Sequence, residues 1–231
     1  MGLRAVLFDV DDTLVDHSGA ARQAILARLA SGGLPATDAD VQRWRQVEQR
    51  HFTRYLSGEL TILEQRRARV REMLGADLDD SAVDAWFAGY QAELEAAWSA
   101  FADAADCLAR LRRAGLRLGV VSNVERAWQW RKLAACGLDG YFAIVVGPDT
   151  LGAGKPDPRV FRHTCHELGV APAEALHVGD QIDSDVRGAL AAGLSAAWLA
   201  RGSAPADAAV PATAATVTGL AALADHALAM C

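Results

Sequence analysis

Residues 3–14 read Leu3-Arg4-Ala5-Val6-Leu7-Phe8-Asp9-Val10-Asp11-Asp12-Thr13-Leu14, a nearly continuous apolar run that breaks into acids. An apolar run without polar alternation is the pattern of a strand buried on both faces, which occurs in parallel sheets covered by helices. The pattern recurs. Leu116–Val121 ends at Ser122-Asn123, Phe142–Val146 at Gly147, Ala175–Val178 at Gly179-Asp180 and Ala196–Ala200 at Arg201. Between most of these runs lie amphipathic stretches of helix length: Ala102–Ala114, Arg126–Cys136, Pro158–Leu168 and Asp183–Ala192. Asp157-Pro158 reads as a helix N-cap followed by proline at the first helical position, and Asp183 as a second N-cap. Alternating strands and helices predict a Rossmann-like, doubly wound α/β fold with a parallel sheet.

Residues 16–100 break that rhythm. Ala20–Leu29, Asp38–Leu56, Thr61–Leu74 and Ser81–Trp98 carry apolar residues at three- and four-residue spacing, with Gly32-Gly33-Leu34-Pro35 and Gly75-Ala76-Asp77 as breaks. This stretch is expected to be an all-helical insert between the first and second strands, with Trp44, Trp86 and Trp98 in its core. The expected organisation is therefore residues 1–15 and 101–231 as an α/β core domain, and residues 16–100 as a helical cap domain. After Gly202 an Ala/Pro-rich connector leads to a last short strand and helix.

Composition narrows the function. The chain has 231 residues, 52% hydrophobic and 23% charged, with a formal net charge of −6. No apolar run is long enough to span a membrane, and the early acids interrupt any signal peptide, so a cytoplasmic protein is expected. The acidity argues against nucleic acid, and the basic run Arg66-Arg67-Ala68-Arg69-Val70-Arg71 reads as the solvated face of a helix. Cys107, Cys136, Cys165 and Cys231 form no CxxC pair and suit a reducing compartment. All but two of the 23 basic residues are arginine. The two lysines are Lys132, beside Arg131 on a helix and given no role, and Lys155, in Gly154-Lys155-Pro156 after the third strand. Because arginine is the default here, a lysine marks a place that wants a compact point charge.

In open parallel sheets, ligands bind beyond the carboxyl ends of the strands. Asp9, Asp11, Asp12 and Thr13 stand there after the first strand, Ser122 and Asn123 after the second, and Lys155 after the third. Asp180, Asp183 and Asp185 follow the fourth. Several carboxylates on one rim require a cation, and an oxygen-only set points to Mg²⁺. A carboxylate near a bound phosphate can attack it, and a second, two residues on, can exchange protons with the leaving alcohol and then with water. Each signal alone is weak; in order, and each after an apolar strand, they reinforce one another. His163, Cys165 and His166 lack an opposing ligand pair for zinc. His177 reads as a satisfied core histidine. Trp128 and Trp130 read as packing residues or as walls of an entrance.

Together the four segments resemble the haloacid dehalogenase superfamily of hydrolases, across nearly the whole chain. Leu7–Leu14, Val121-Ser122-Asn123, Gly154–Pro158 and Gly179–Asp185 match its four motifs, and the insert resembles the helical cap of its first subclass. The resemblance implies Asp9 as nucleophile, Asp11 as general acid/base and Thr13 as the residue orienting their loop. It implies that Ser122, Asn123 and Lys155 bind phosphate. It gives Mg²⁺ to the Asp9 carboxylate, the Asp11 carbonyl and Asp180, with Asp185 behind them. His17, Arg54, Tyr55 and Arg66 are the implied cap specificity residues. The family's dehalogenases lack an acid two residues after the nucleophile, so Asp11 favours phosphoryl transfer. The absence of lysine before Arg131 excludes the Schiff-base branch. The expected activity is a Mg²⁺-dependent phosphatase of a small phosphorylated metabolite such as a nucleotide or sugar phosphate, acting as a monomer or homodimer. A hexose-phosphate mutase and a catalytically silent binding module are the alternatives.

Overall fold

In a computed structural model, residues 2–75, 77–201 and 209–231 are described. The chain forms two compact units, one of residues 1–16 and 99–231, the other of residues 17–98.

The first unit is built on the opening run. Ala5–Phe8 form β1, entirely buried. Successive side chains of a strand point to opposite faces. Accordingly Val6 and Phe8 join one apolar cluster and Ala5 and Leu7 the other. β1 is flanked in parallel by β2 (Arg117–Val121) and, through Ala5 opposite Ala175, by β4 (Ala175–Gly179). With β3 (Ile144–Val146), β5 (Ser195–Leu199) and β6 (Ala215–Val217) the sheet runs β3-β2-β1-β4-β5-β6, parallel throughout. Strand order reverses between β1 and β4, which opens the ligand crevice of a doubly wound sheet there.

Among the described residues the second unit holds four helices: α1 (His17–Ser31), α2 (Asp38–Leu56), α3 (Ile62–Leu74) and α4 (Asp80–Ala96). α2 and α3 start in capping boxes, Thr37 with Asp40 and Thr61 with Glu64, which satisfy two otherwise orphaned backbone donors at each end. Trp44, Trp86 and Tyr90 are buried at the centre, and the Trp44 and Tyr90 rings lie 4.7 Å apart, edge to face. The arginine run on α3 is not a solvated face. Arg69 is 5% exposed, stacked over Trp44 and bonded to Glu48 at 2.7 Å. Arg67 pairs with Asp84 at 2.6 Å. The spacing of the arginines hides this, because only the register of α3 against α2 and α4 turns Arg69 inward.

In the first unit the remaining helices are α5 (Ala104–Arg113), α6 (Arg126–Ala135), α7 (Pro148–Leu151), α8 (Pro158–Glu167), α9 (Gly188–Ala192) and α10 (Leu220–Ala229). Asp157 caps α8, accepting from the Arg159 amide at 2.9 Å. Asp183 caps nothing. Ile182–Arg187 form a wide π-helical turn ahead of α9, and the Asp183 side chain is exposed beside Arg187. No helix among the described residues is long and apolar enough to cross a membrane.

Candidate active site

Lys155 is the centre of the rim. The residue is 6% exposed, and its ammonium lies between Asp9 Oδ1 at 2.5 Å and Asp185 Oδ1 at 2.6 Å. Burial alone pulls the ammonium's pKa down, but Asp185 and Asp9 outweigh it and raise it. Lys155 therefore stays charged. Its main chain is locked by Asn123, whose Oδ1 accepts from the Lys155 amide at 2.6 Å and whose Nδ2 donates to the Lys155 carbonyl at 3.0 Å. A side chain on Gly154 would collide with Asn123 Oδ1, so glycine is required where the two loops meet.

Asp185 lies behind the ammonium. Its Oδ1 accepts from Lys155 and, at 3.1 Å, from His177 Nε2. Its Oδ2 accepts from the Gln181 amide at 3.0 Å. Burial pushes the Asp185 carboxyl up, yet Lys155 and His177 prevail and hold it below the ordinary carboxylate range. His177, wholly buried, is lowered by burial. The π-turn carries Asp185 back beneath the end of β4, where a side chain on Gly179 would collide with its carboxyl group. Between Asp183 and Asp185, the latter is the one engaged by the site.

At Asp9 and Asp180 burial prevails over the ammonium. Burial raises the Asp9 carboxyl well above its ordinary value, Lys155 opposes this, and the neighbouring acids add to it. Asp180 is pushed up to about 6, first by burial and then by the Asp185 charge. Carboxylate oxygens of Asp9, Asp180 and Asp185 lie within 4.8 Å of one another. Three acids around one ammonium leave two negative charges uncompensated, which a divalent cation would balance. Asp185 already accepts from three protein donors, Lys155, His177 and the Gln181 amide, so Asp9 and Asp180 are the residues better placed to hold it. The Trp198 indole donates to the Asp180 carbonyl at 2.8 Å and steadies that loop.

The loop after β1 turns through Asp12 in the left-handed region, at φ 57°. Thr13 is fully buried, its carbonyl accepting from Arg201 at 3.1 Å. Asp11 faces α6: Gln129 Nε2 donates to its Oδ2 at 2.9 Å, and Lys132 donates to its Oδ1. Gln129 Nε2 also donates to Ser122 Oγ at 2.8 Å. Lys132 thus has a place in the rim, against the sequence expectation of no role. Gln129, a polar residue between two tryptophans, carries no motif that points to this contact. The shared signal is an i, i+3 polar pair on a helix face that should be apolar. Trp130 packs against the core, and Trp128 lies under Arg131 at 5.3 Å.

His163 is half-buried, His166 exposed and Cys165 part of the apolar core. The Asp9, Asp180 and Asp185 cluster is the one possible metal-ligand group of three or more such residues among the described residues. In the helical unit, His17 begins α1, and Arg54 is bonded to Glu59 at 2.6 Å. Tyr55 lies against Phe52 at 5.6 Å, and Arg66 stacks over Phe87 at 5.4 Å.

A family model described as haloacid dehalogenase-like hydrolase matches residues 3–193. The chain belongs to that family. It is 32% identical over 213 residues to a glyceraldehyde 3-phosphate phosphatase of Methanopyrus kandleri, covering 87% of this chain and 85% of that one. It is likewise 32% identical over 215 residues to the N-acylneuraminate-9-phosphatase of Mus musculus, covering 86% and 84%. With these relatives it stands among the phosphoric monoester hydrolases of the family. The fold matches that of the HAD-hydrolase YfnB of Bacillus subtilis, solved bound to magnesium, with a TM-score of 0.83 over 98% of this chain and 99% of that one at 22% identity.

Proposed function

We propose that this hydrolase is a Mg²⁺-dependent phosphatase of small phosphorylated metabolites that works through an aspartyl-phosphate on Asp9. The observation that carries the reading is the single ammonium of Lys155 bridging Asp9 and Asp185, with Asp180 uncompensated beside them. Asp9 and Asp180, with the Asp11 carbonyl, would hold Mg²⁺. When bound, the cation would neutralise charge on the phosphoryl oxygens.

The carboxylate of Asp9 attacks phosphorus, the ester P–O bond breaks, and Asp11 gives its proton to the departing alkoxide. Lys155 and Ser122 bind the phosphoryl oxygens as charge builds on them, and Asn123 holds the Lys155 loop in place. Water then attacks phosphorus, Asp11 takes the water's proton, the bond to Asp9 breaks and phosphate leaves. Asp185 fixes the ammonium and His177 fixes Asp185. Substrate selection is assigned to the helical unit, with His17, Arg54, Tyr55 and Arg66 as its first candidates. Thiols that are all unpaired support a reducing, cytoplasmic setting.

The test is a steady-state screen of the purified protein against phosphorylated sugars, nucleotides and short phosphorylated acids, with Mg²⁺ and with a chelator. Phosphate release that disappears with chelator and returns with Mg²⁺ is expected. Release from no phosphomonoester would overturn the reading.

A further inference from the structure

Helix α6 buries two polar side chains three residues apart, Gln129 and Lys132, at 0% and 1% exposure. A buried amide and ammonium need partners, and both reach across to Asp11. Gln129 donates to Oδ2 and Lys132 to Oδ1, so one helix face fixes both oxygens of this carboxylate. A carboxylate offers about four lone-pair positions, which leaves it able to accept from water as well.

The Gln129 amide has a further consequence. Its Oε1 is buried with no hydrogen-bond partner, whereas Nε2 serves both Asp11 and Ser122. The donor side of the amide is therefore what the site uses. Ser122 Oγ accepts from Gln129 and, at 3.1 Å, from the Val124 amide. Both its lone pairs are engaged, and among the described residues no acceptor takes its hydroxyl proton. Ser122 is left as a donor for a ligand oxygen.

We propose that Gln129 and Lys132 are positioning residues that hold Asp11 as the base for water attack on the phosphoenzyme. The proposal rests on the roles given above to Asp9 and Asp11. In that step a water oxygen bonds to phosphorus, the bond from phosphorus to Asp9 breaks, and the water proton passes to Asp11. A carboxylate already fixed at both oxygens needs no reorganisation to receive it.

The experiment is pre-steady-state release of p-nitrophenol from p-nitrophenyl phosphate with Mg²⁺, comparing wild type, Lys132→Met, Gln129→Met and Asp11→Asn. A good leaving group needs little acid assistance, so kcat/KM reports formation of the phosphoenzyme and kcat its hydrolysis. Lys132→Met and Gln129→Met are expected to lower kcat by roughly tenfold or more, with KM falling in parallel and a burst near one per site. Burst amplitude counts competent sites, so a partly misfolded preparation does not imitate the effect. Lys132→Gln, which keeps a donor, is expected to recover part of kcat. Unchanged kcat, or kcat/KM falling as far as kcat, would overturn the proposal. If Asp11→Asn itself shows no slowed second step, the assignment of Asp11 fails instead, which separates the two readings.

Discussion

Arg69 in the helical unit and Lys155 in the α/β unit are both deeply buried cations, at 5% and 6% exposure, yet they are held in different ways. The Arg69 guanidinium lies 4.6, 5.4 and 5.9 Å from the ring centres of Trp44, Phe87 and Tyr90 and pairs with the Glu48 carboxylate. Lys155 touches Asp9 and Asp185 through one nitrogen. The planar guanidinium suits stacking, and the ammonium suits a point between carboxylates. Lys132, the other lysine of a chain that otherwise uses arginine, also meets a carboxylate, Asp11. The difference teaches that the helical unit uses a buried charge for packing, whereas the α/β unit uses buried charge to hold the acids of the rim.

The sharpest ways to break this contrast lie in the α/β unit. Asp9→Asn should lower turnover roughly a thousandfold or more while leaving the melting temperature near that of wild type. Steady-state kinetics and thermal melting check both halves. Lys155→Arg should lower kcat about a hundredfold despite keeping the charge, because a fork cannot replace one nitrogen between two oxygens. An arginine variant with wild-type kcat would dissolve the distinction between the two cations. Asp185→Asn and Asp180→Asn separate the acids further. The first should cut kcat with Mg²⁺ affinity within about threefold of wild type, and the second should weaken Mg²⁺ binding by roughly tenfold or more, as read by titrating activity with Mg²⁺.

In the helical unit the expected effects concern stability. Arg69→Met should destabilise by about 2 kcal/mol, since it removes the stacked cation and leaves Glu48 without its partner. Denaturant unfolding measures it. The smallest effect is a pH dependence in the α/β unit. Burial raises the Asp103 carboxyl, but Arg201 and the Leu220 amide outweigh it, and its pKa is lowered. A lowered folded-state value contributes stability above the unfolded pKa and loses it as pH falls. The gap in melting temperature between wild type and Asp103→Asn should therefore be full at pH 6 and shrink towards pH 3.

Legibility in the sequence follows the same division. Asp9, Ser122 and Asp180 were readable because each ends an apolar strand, and strand ends of a parallel sheet converge on one rim. Asn123 was readable as a rim residue but not as the bracket on the Lys155 main chain, which depends on how two loops approach. Gln129 and Lys132 sit mid-helix, where their meaning depends on the rotation of α6 against the Asp11 loop. Asp185 is named by the family resemblance, but its setting beneath β4 depends on the π-turn, an irregularity that periodicity does not encode. Arg69 and Lys132 share one reason for being illegible: a charged residue in a helix discloses its partner only through packing. The scarcity of lysine singles out Lys155 and Lys132 alike, and both lie against acids of the rim.

The account depends most on Asp9 carrying the phosphoryl group. The direct test mixes enzyme, Mg²⁺ and p-nitrophenyl phosphate, quenches during the burst and reduces the protein with borohydride, which converts an aspartyl-phosphate to homoserine. Mass spectrometry of the peptides should find homoserine at position 9, and none in Asp9→Asn. Full turnover with no reduced residue at position 9, or with reduction at another aspartate, would contradict the account.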